Sequence, residues 1–208
     1  CYNTCMNITM KSILVLAMLS NISLAAMAQT NPNNFIDTRA QDMVEVIRNN
    51  QSLYASDPEK FKEKIHAIFE PMVDFRRVGA SVMGKKFYLA ATKDQRAKFI
   101  LVFKKSLLDT YSSTLAQWGD QTIETIFPDQ LSFSRTEDVK QNLVTSNNIY
   151  PITYKVRDDG KGNWLIINII VNGVNLGLTF RNQFQALASE HNENIDEIIN
   201  NWTSEANF

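Results

Sequence analysis

The chain has 208 residues, of which 44% are hydrophobic, and it carries 21 basic and 22 acidic side chains. The formal net charge of −1 argues against nucleic acid as a bulk partner, because nucleic-acid binding favours a basic domain. The hydrophobic fraction is too high for a disordered chain, and seven glycines exclude a collagen-like composition. We therefore expect one folded domain with a sizeable core.

The first 28 residues have the pattern of a targeting segment. Lys11 precedes an apolar run from Ile13 to Leu19, and Ala26-Met27-Ala28 is an A-x-A cleavage site. We predict that residues 1–28 comprise upstream residues and a secretory signal peptide, cleaved after Ala28, and that 29–208 form the domain. An uncleaved anchor is the alternative, although the run is short for a bilayer of about 30 Å. Both cysteines precede the cleavage site, and an exported domain without disulfides fits the bacterial periplasm better than an animal extracellular space.

Helical periodicity dominates the first half of the domain. Apolar side chains recur every three or four positions in the first segment: Ile36, Ala40, Met43, Val44 and Ile47. Asp57-Pro58 predicts the N-cap and first residue of a second helix. Pro71 predicts the start of a third element, with Gly84 as its C-cap. Thr92 and Gln95 form a capping box that opens the longest helix, at about 92–118.

The second half changes to the alternation of β-strands. We predict strands at about 121–127, 130–135, 138–145, 147–157, 163–171 and 174–180, then helices at 181–190 and 194–203. Asn172-Gly173 is a strong hairpin signal, since both central residues of a type I′ turn need positive φ. Helices followed by a meandering antiparallel sheet predict an α+β fold.

The last predicted hairpin has one wholly apolar face. The two-residue turn places four pairs opposite each other: Val171 and Val174, Ile169 and Leu176, Ile167 and Leu178, and Leu165 and Phe180. Two interpretations remain open. The helices cover this face in a filled core, or the helices and the face enclose a cavity for an apolar ligand.

The domain has little of the chemistry that catalysis needs. It lacks cysteine, and its histidines, His66 and His191, do not have the spacing of a metal site. Asp158-Asp159-Gly160 is typical of a hairpin turn, because the spacing of a calcium loop is not met. We expect no metal and no cofactor, although Asp74 stays open as a buried carboxylate base.

Two basic pairs flank the short helix that is predicted to end at Gly84. They are Arg76-Arg77 and Lys85-Lys86. They are either ordinary surface charge or contacts for a phosphate head group or an acidic partner.

Three segments carry a resemblance to a known family. The first has a glycine, an aromatic residue and a helix with regular aromatic spacing: Gly84, Phe87, Ala91, Gln95, Phe99, Phe103, Leu107 and Tyr111. The second contains Trp164, Gly173, Leu176, Phe180, Arg181 and Phe184, and the third contains Asp74 and Phe75. Together they resemble the MlaC (toluene-tolerance) family of periplasmic phospholipid-binding proteins, over roughly residues 35–203. Asn168 and Asn175 depart from the family pattern, which usually has Asp and often has Ser at these positions.

This resemblance implies a curved antiparallel sheet packed with helices around an apolar cavity, an NTF2-like fold. It implies a carrier that moves phospholipid between an outer-membrane lipoprotein–porin complex and an inner-membrane ABC transporter with an MCE-domain subunit, without catalysis. A small-molecule enzyme on the same fold and a periplasmic adaptor without ligand are the alternatives. The predicted side-chain orientations and the resemblance together predict the residues that contact lipid. They are Phe75, Val78, Phe87, Phe103, Leu107, Tyr111, Leu165, Ile167, Ile169, Val171, Leu176, Leu178, Phe180 and Phe184.

Overall fold

Along the chain, helices come before and after the strands of the sheet. The computed structural model describes residues 30–129 and 132–204, and the predicted signal peptide lies outside these ranges. Four helices precede the sheet: α1 (Pro32–Ser56), α2 (Pro58–Phe69), α3 (Phe75–Ala90) and α4 (Lys93–Ala116), with a 3₁₀ turn at Glu70–Met72. Two more follow it: α5 (Leu176–Glu190) and α6 (Ile195–Asn200).

Polar side chains cap the N-termini of the helices, and the sequence predicts two of these N-caps. Asp57 accepts a hydrogen bond from the Lys60 amide at the start of α2, and the capping box at Thr92 and Gln95 is formed. The predicted third element is different. Its helix begins at Phe75 after the 3₁₀ turn.

Gly84 interrupts the helical geometry of α3, as its predicted role as a C-cap implies, but a further helical segment follows directly, so α3 kinks at this residue rather than ends. The residue has φ 71° and ψ 164°, a conformation that is open essentially to glycine alone, and helical structure resumes beyond it to Ala90. A Cβ at this position would lie 3.4 Å from the Arg181 guanidinium. Gly84 is therefore a kink that brings the backbone of α3 close to α5.

Five antiparallel strands form one meandering sheet, in the order β1-β2-β3-β4-β5. Their bounds are β1 Thr122–Ile126, β2 Thr136–Val144, β3 Ile149–Asp158, β4 Trp164–Val171 and β5 Val174–Asn175. The predicted α+β class, with helices packed on a curved antiparallel sheet, is confirmed. The predicted strand at 130–135 is wrong in its described part, since residues 132–135 lie outside any strand.

The predicted strand at 174–180 is also wrong, because helix α5 begins at Leu176. The turn itself is confirmed: Asn172 and Gly173 have φ of 48° and 83°, and Val171 pairs with Val174. Asn175 then caps α5, since its side chain accepts a hydrogen bond from the Leu178 amide at 3.0 Å. The other three predicted cross-strand pairs do not form.

Asn168 reinforces this change from strand to helix. Its Oδ1 accepts a hydrogen bond from the Gly177 amide at 3.0 Å, and its Nδ2 donates to Asn175 Oδ1 at 3.0 Å. A Cβ at Gly177 would lie only 2.6 Å from Asn168 Oδ1. The two asparagines that depart from the family pattern therefore bind each other and hold the first turn of α5 against β4.

A β-bulge in β4 reverses the face that simple alternation predicts. Tyr154 pairs with Ile169 and Val156 pairs with Ile166, which leaves Ile167 as the extra residue. Ile166 and Ile169 therefore lie on the same side of the sheet. The predicted common face of Leu165, Ile167, Ile169 and Val171 is wrong, because the alternation changes phase at the bulge.

Three hydrophobic clusters lie among the described residues, the smallest of them formed by Ile47, Phe61 and Ile65 between α1 and α2. An aromatic cluster joins α3, α4, α5 and the end of the described chain; within it the Phe99 ring lies 5.2 Å from Phe184 and 5.3 Å from Trp202, both edge to face. A second cluster lies under the sheet and contains the fully buried Trp164 and Val156. The space between α1, α2, α4 and the sheet is not completely filled.

Candidate functional site: an apolar pocket under helix α1

A pocket of about 250 Å³, here called the main pocket, lies between α1, α2, α4 and the inner face of the sheet. The helices and their connections contribute Ile36, Arg39, Ala40, Met43, Val44, Ile47, Ile65, Phe69, Met72, Leu107, Leu108, Leu115 and Trp118. The strands contribute Ile123, Leu143, Ile152, Tyr154, Ile166 and Ile169. Its wall is almost entirely hydrocarbon and aromatic.

The register of the sheet explains the strand wall. Ile123 pairs with Leu143, and Tyr154 pairs with Ile169, so each pair projects from neighbouring strands to the same side. The bulge keeps Ile166 on this side as well. The inner faces of β1, β2, β3 and β4 thus present one apolar surface to the helices.

Tyr154 and Arg39 are the two lining residues with distinct polar chemistry. Burial raises the pKa of Tyr154 to about 12, so its phenol is neutral at physiological pH and remains a hydrogen-bond donor. Arg39 is the charged residue among those lining the main pocket. Such a wall favours binding of an apolar or amphipathic molecule.

A second, smaller pocket of about 70 Å³ adjoins the first. Its lining includes Val73, Phe75, Val78, Phe103, Asn168, Leu176, Gly177 and Phe180. Leu107, Ile166 and Ile169 line both pockets. These three side chains therefore form the partition between the small pocket and the main pocket.

The structure divides the predicted lipid contacts among several places. Leu107 and Ile169 line both pockets. Five others line the small pocket and not the main pocket: Phe75, Val78, Phe103, Leu176 and Phe180. Contact of these residues with lipid stays a prediction.

The other predicted contacts are absent from the linings of both pockets. Phe87 and Phe184 are buried in the aromatic cluster, and Tyr111 packs against it. Val171 is half-buried at the end of β4, and Leu165 lies opposite Arg157 on β3. Ile167 and Leu178, the latter 55% exposed, border a separate outer groove that also includes Arg77, Lys155 and Arg181.

The predicted basic pairs lie away from the main pocket's lining. Arg76 and Arg77 are exposed on α3, where they border a surface groove with Asp74 and Tyr88. Lys85 and Lys86 are exposed beyond Gly84, and Lys86 pairs with Glu193.

Asp74 serves as a structural residue. It caps α3 through the Arg77 amide at 2.9 Å and pairs with the Arg77 side chain at 3.3 Å. Asp74 is absent from the main pocket's lining and borders the surface groove beside Arg76 and Arg77 instead. Among residues 30–129 and 132–204, no group of three or more His, Cys, Asp or Glu side chains is placed to hold a metal ion.

Sequence reasoning missed most of the main pocket's wall. The stripe on α1 was visible, but stripes of this kind ordinarily pack into a filled core, so nothing marked it as a pocket wall. The inner residues of β1, β2 and β3, such as Ile123, Leu143 and Ile152, follow ordinary strand alternation. Only their convergence with α1 in the fold distinguishes them.

Ion pairs tie α2 to α4 beside the pocket. Lys62 lies 2.7 Å from Asp109, a contact that raises the pKa of Lys62. Glu70 pairs with Lys104, and this hydrogen bond lowers the pKa of Glu70. The first pair joins α2 to α4, and the second joins the 3₁₀ turn after α2 to α4; all three elements contribute residues to the pocket lining.

The fold and the pocket define a class: α+β proteins whose helices pack on an open antiparallel sheet around an apolar pocket. Residues 37–204 match the family model described as MlaC protein, and the chain belongs to this family.

Relatives and a solved structure agree with this assignment. The chain is 30% identical over 193 residues to the toluene tolerance protein ttg2D of Pseudomonas putida, covering 92% of this chain and 88% of the relative. It is 24% identical over 158 residues to the intermembrane phospholipid transport system binding protein MlaC of Haemophilus influenzae, covering 74% of this chain and 73% of the relative. A phospholipid-binding protein from Ralstonia solanacearum, solved in complex with a phospholipid, has the same fold, with a TM-score of 0.74 at 21% identity, covering 82% of this chain and 94% of that chain.

Proposed function

We propose that this protein is a phospholipid carrier of the periplasm, which takes up lipid in the pocket under α1 and moves it between membranes without a chemical step. The observation that carries the proposal is an almost wholly apolar pocket in a chain of the MlaC family. The names of the relatives from H. influenzae and R. solanacearum, which refer to phospholipid transport and binding, support the choice of ligand.

Physical chemistry explains why a carrier is sufficient. Each methylene removed from water contributes about 0.8 kcal/mol, so two acyl chains with roughly 30 methylenes represent about 24 kcal/mol of transfer free energy. A phospholipid therefore does not cross water uncovered. Because acyl chains are equally well accommodated in a bilayer and in an apolar pocket, the net transfer between them lies near zero, and no energy source within the carrier is needed.

The dimensions of the pocket show that uptake requires it to widen. An engineered cavity of about 150 Å³ holds benzene, so by the same scale 250 Å³ holds about ten carbon atoms. A two-chain phospholipid is several times larger. Movement of the partition side chains Leu107, Ile166 and Ile169 would join the small pocket to the main pocket and lengthen the apolar chamber.

Helix α1 is the element placed to cover the chamber and to move. Its apolar face contributes five residues to the lining of the main pocket, and Arg39 is a sixth α1 residue there. Its polar ties to the neighbouring sheet edge are few: Asp37 accepts from Thr125 Oγ1 at 2.6 Å, Gln41 donates to the Ile123 carbonyl at 3.1 Å, and Arg48 donates to the Gln121 carbonyl at 2.9 Å. Hydrogen bonds of this kind exchange readily with water, so breaking these three contacts has a modest cost.

The partners and the compartment follow from the family and the N-terminal sequence. We expect delivery to an inner-membrane ABC transporter with an MCE-domain subunit, and exchange with an outer-membrane lipoprotein–porin complex. The signal peptide predicted within residues 1–28 supports a periplasmic location. In the described part of the chain, none of the helices has both the length and the apolar character of a membrane span.

The test is mass spectrometry of lipids extracted from residues 29–208, exported to the periplasm of a Gram-negative host and purified without detergent. We expect near-stoichiometric phospholipid, with its chain lengths and head groups read in the same spectrum. A stably folded protein that copurifies with no phospholipid, and that extracts none from vesicles, would overturn the proposal.

A further inference from the structure

The rim of the main pocket carries one feature that the apolar wall does not explain. Arg39, in the second turn of α1, is the charged residue among those lining the pocket, and it is also the exposed one. An arginine can lay its methylene stem along an apolar wall while its guanidinium stays in water. Arg39 therefore marks the place where the apolar chamber meets solvent.

The guanidinium of Arg39 is available to a ligand. Its ion-pair partner within α1 is Asp42, at 3.4 Å, and the two side chains are 44% and 43% exposed. An exposed pair of this kind contributes little to stability, and the planar guanidinium is suited to bidentate binding of phosphate oxygens. The phosphate of a lipid whose acyl chains lie in the pocket is held at the rim, so it would compete effectively with Asp42 for the Arg39 guanidinium.

We propose that Arg39 is the phosphate-binding residue of the pocket, which holds the lipid head group at the rim while the acyl chains lie inside. This inference rests on the proposed carrier function and deepens it. The head group then lies beside α1, and the acyl chains lie against the apolar residues that line the main pocket. The basic pairs predicted from sequence, Arg76-Arg77 and Lys85-Lys86, are absent from the main pocket's lining, so they are not placed to make this contact.

The test compares two lipids with the same chains and glycerol but different heads. Residues 29–208 are incubated with phosphatidylcholine vesicles that contain equal small amounts of phosphatidylglycerol and diacylglycerol, and bound lipid is counted by mass spectrometry. We expect the unaltered protein to prefer phosphatidylglycerol, and Arg39→Gln to reduce this preference about fivefold. Arg39→Lys retains part of the preference, because the charge remains while the bidentate geometry is lost.

Arg135→Gln is the matched control, since it removes an exposed arginine that is absent from the lining of the main pocket. We expect it to leave the preference unchanged. An unchanged preference in Arg39→Gln, with both lipids bound, would overturn the role of Arg39 and leave the carrier function standing. Failure of the unaltered protein to bind any of the three lipids in the vesicles would instead overturn the carrier function.

A third arm separates a lipid phosphate from free phosphate. Inorganic phosphate, added at millimolar concentration, is expected not to displace phosphatidylglycerol, because it lacks the acyl chains that hold the head group at the rim. Displacement by inorganic phosphate at this concentration would overturn the inference, since it would show a site for free anions.

Discussion

Replacing Ile169 with aspartate tests the pocket most directly, because this side chain lines both the main pocket and the small pocket. In Ile169→Asp, an incoming acyl chain must cover the new carboxyl group. Covering the charged form without a partner is so unfavourable that the group takes up a proton instead. The cost of binding is then set by the pH.

The magnitude follows from the ordinary pKa of aspartic acid. Protonating a carboxyl with a pKa of about 3.9 at pH 7 costs about 4 kcal/mol, which lowers lipid affinity about a thousandfold. At pH 5 the same step costs about 1.5 kcal/mol, or about a tenfold loss. We therefore expect Ile169→Asp to copurify with almost no phospholipid at pH 7 and to regain loading from vesicles as the pH falls toward 5.

Two further variants make the assay specific. Ile169→Asn introduces a polar group without a titrating proton, so its loading should be reduced and independent of pH. Ile167→Asp places the same carboxyl two residues earlier on β4, at the bulge residue that borders the outer groove beside Lys155, and should retain lipid.

Lipid counts are compared with circular dichroism and urea unfolding of each variant at both pH values. Full loading of a folded Ile169→Asp at pH 7 would refute the assignment of the pocket. Equal loss in Ile167→Asp would favour the strand face expected from simple alternation.

Two other predictions concern the elements around the pocket. Cysteines introduced together as Asp37→Cys and Thr125→Cys should form a disulfide that ties α1 to β1, because these side chains are hydrogen-bonded at 2.6 Å and the domain is otherwise free of cysteine. The oxidised form should exchange lipid with vesicles more slowly than the reduced form, whereas equal rates would contradict movement of α1. Because Lys104 lowers the folded-state pKa of Glu70, this pair stabilises the protein above the ordinary Glu pKa of about 4.3, and the contribution is lost as the pH falls through the lower folded value. Urea midpoints of Glu70→Gln should therefore decline less than those of the unaltered protein below about pH 4.5, and parallel declines would show that the pair does not stabilise the fold.

Local signals in the sequence were sufficient for much of the fold. The N-cap at Asp57, the capping box at Thr92 and the turn at Asn172-Gly173 each have a mechanism that acts within a few residues, and each is formed as predicted. The strand assigned to 174–180 failed because two local patterns overlap. Leu176 and Phe180 fit both alternation and a spacing of four, and the contacts of Asn168 and Asn175 favour the helix.

The sequence by itself determined the α+β class, the order of its elements apart from the strands predicted at 130–135 and 174–180, and the resemblance to the MlaC family, because periodicity, caps and motifs act over short distances along the chain. Only the tertiary structure decided which apolar residues line a pocket and which fill a core. Ile169 and Ile167 are indistinguishable by hydrophobicity, and the bulge opposite Lys155 and Val156 places only Ile169 on the pocket wall. Likewise, the sequence does not distinguish Arg39 from the other arginines, because its place at the pocket rim depends on the packing of α1 beside the sheet. A pocket is space left between elements that are distant in sequence, and that space depends on how their surfaces meet.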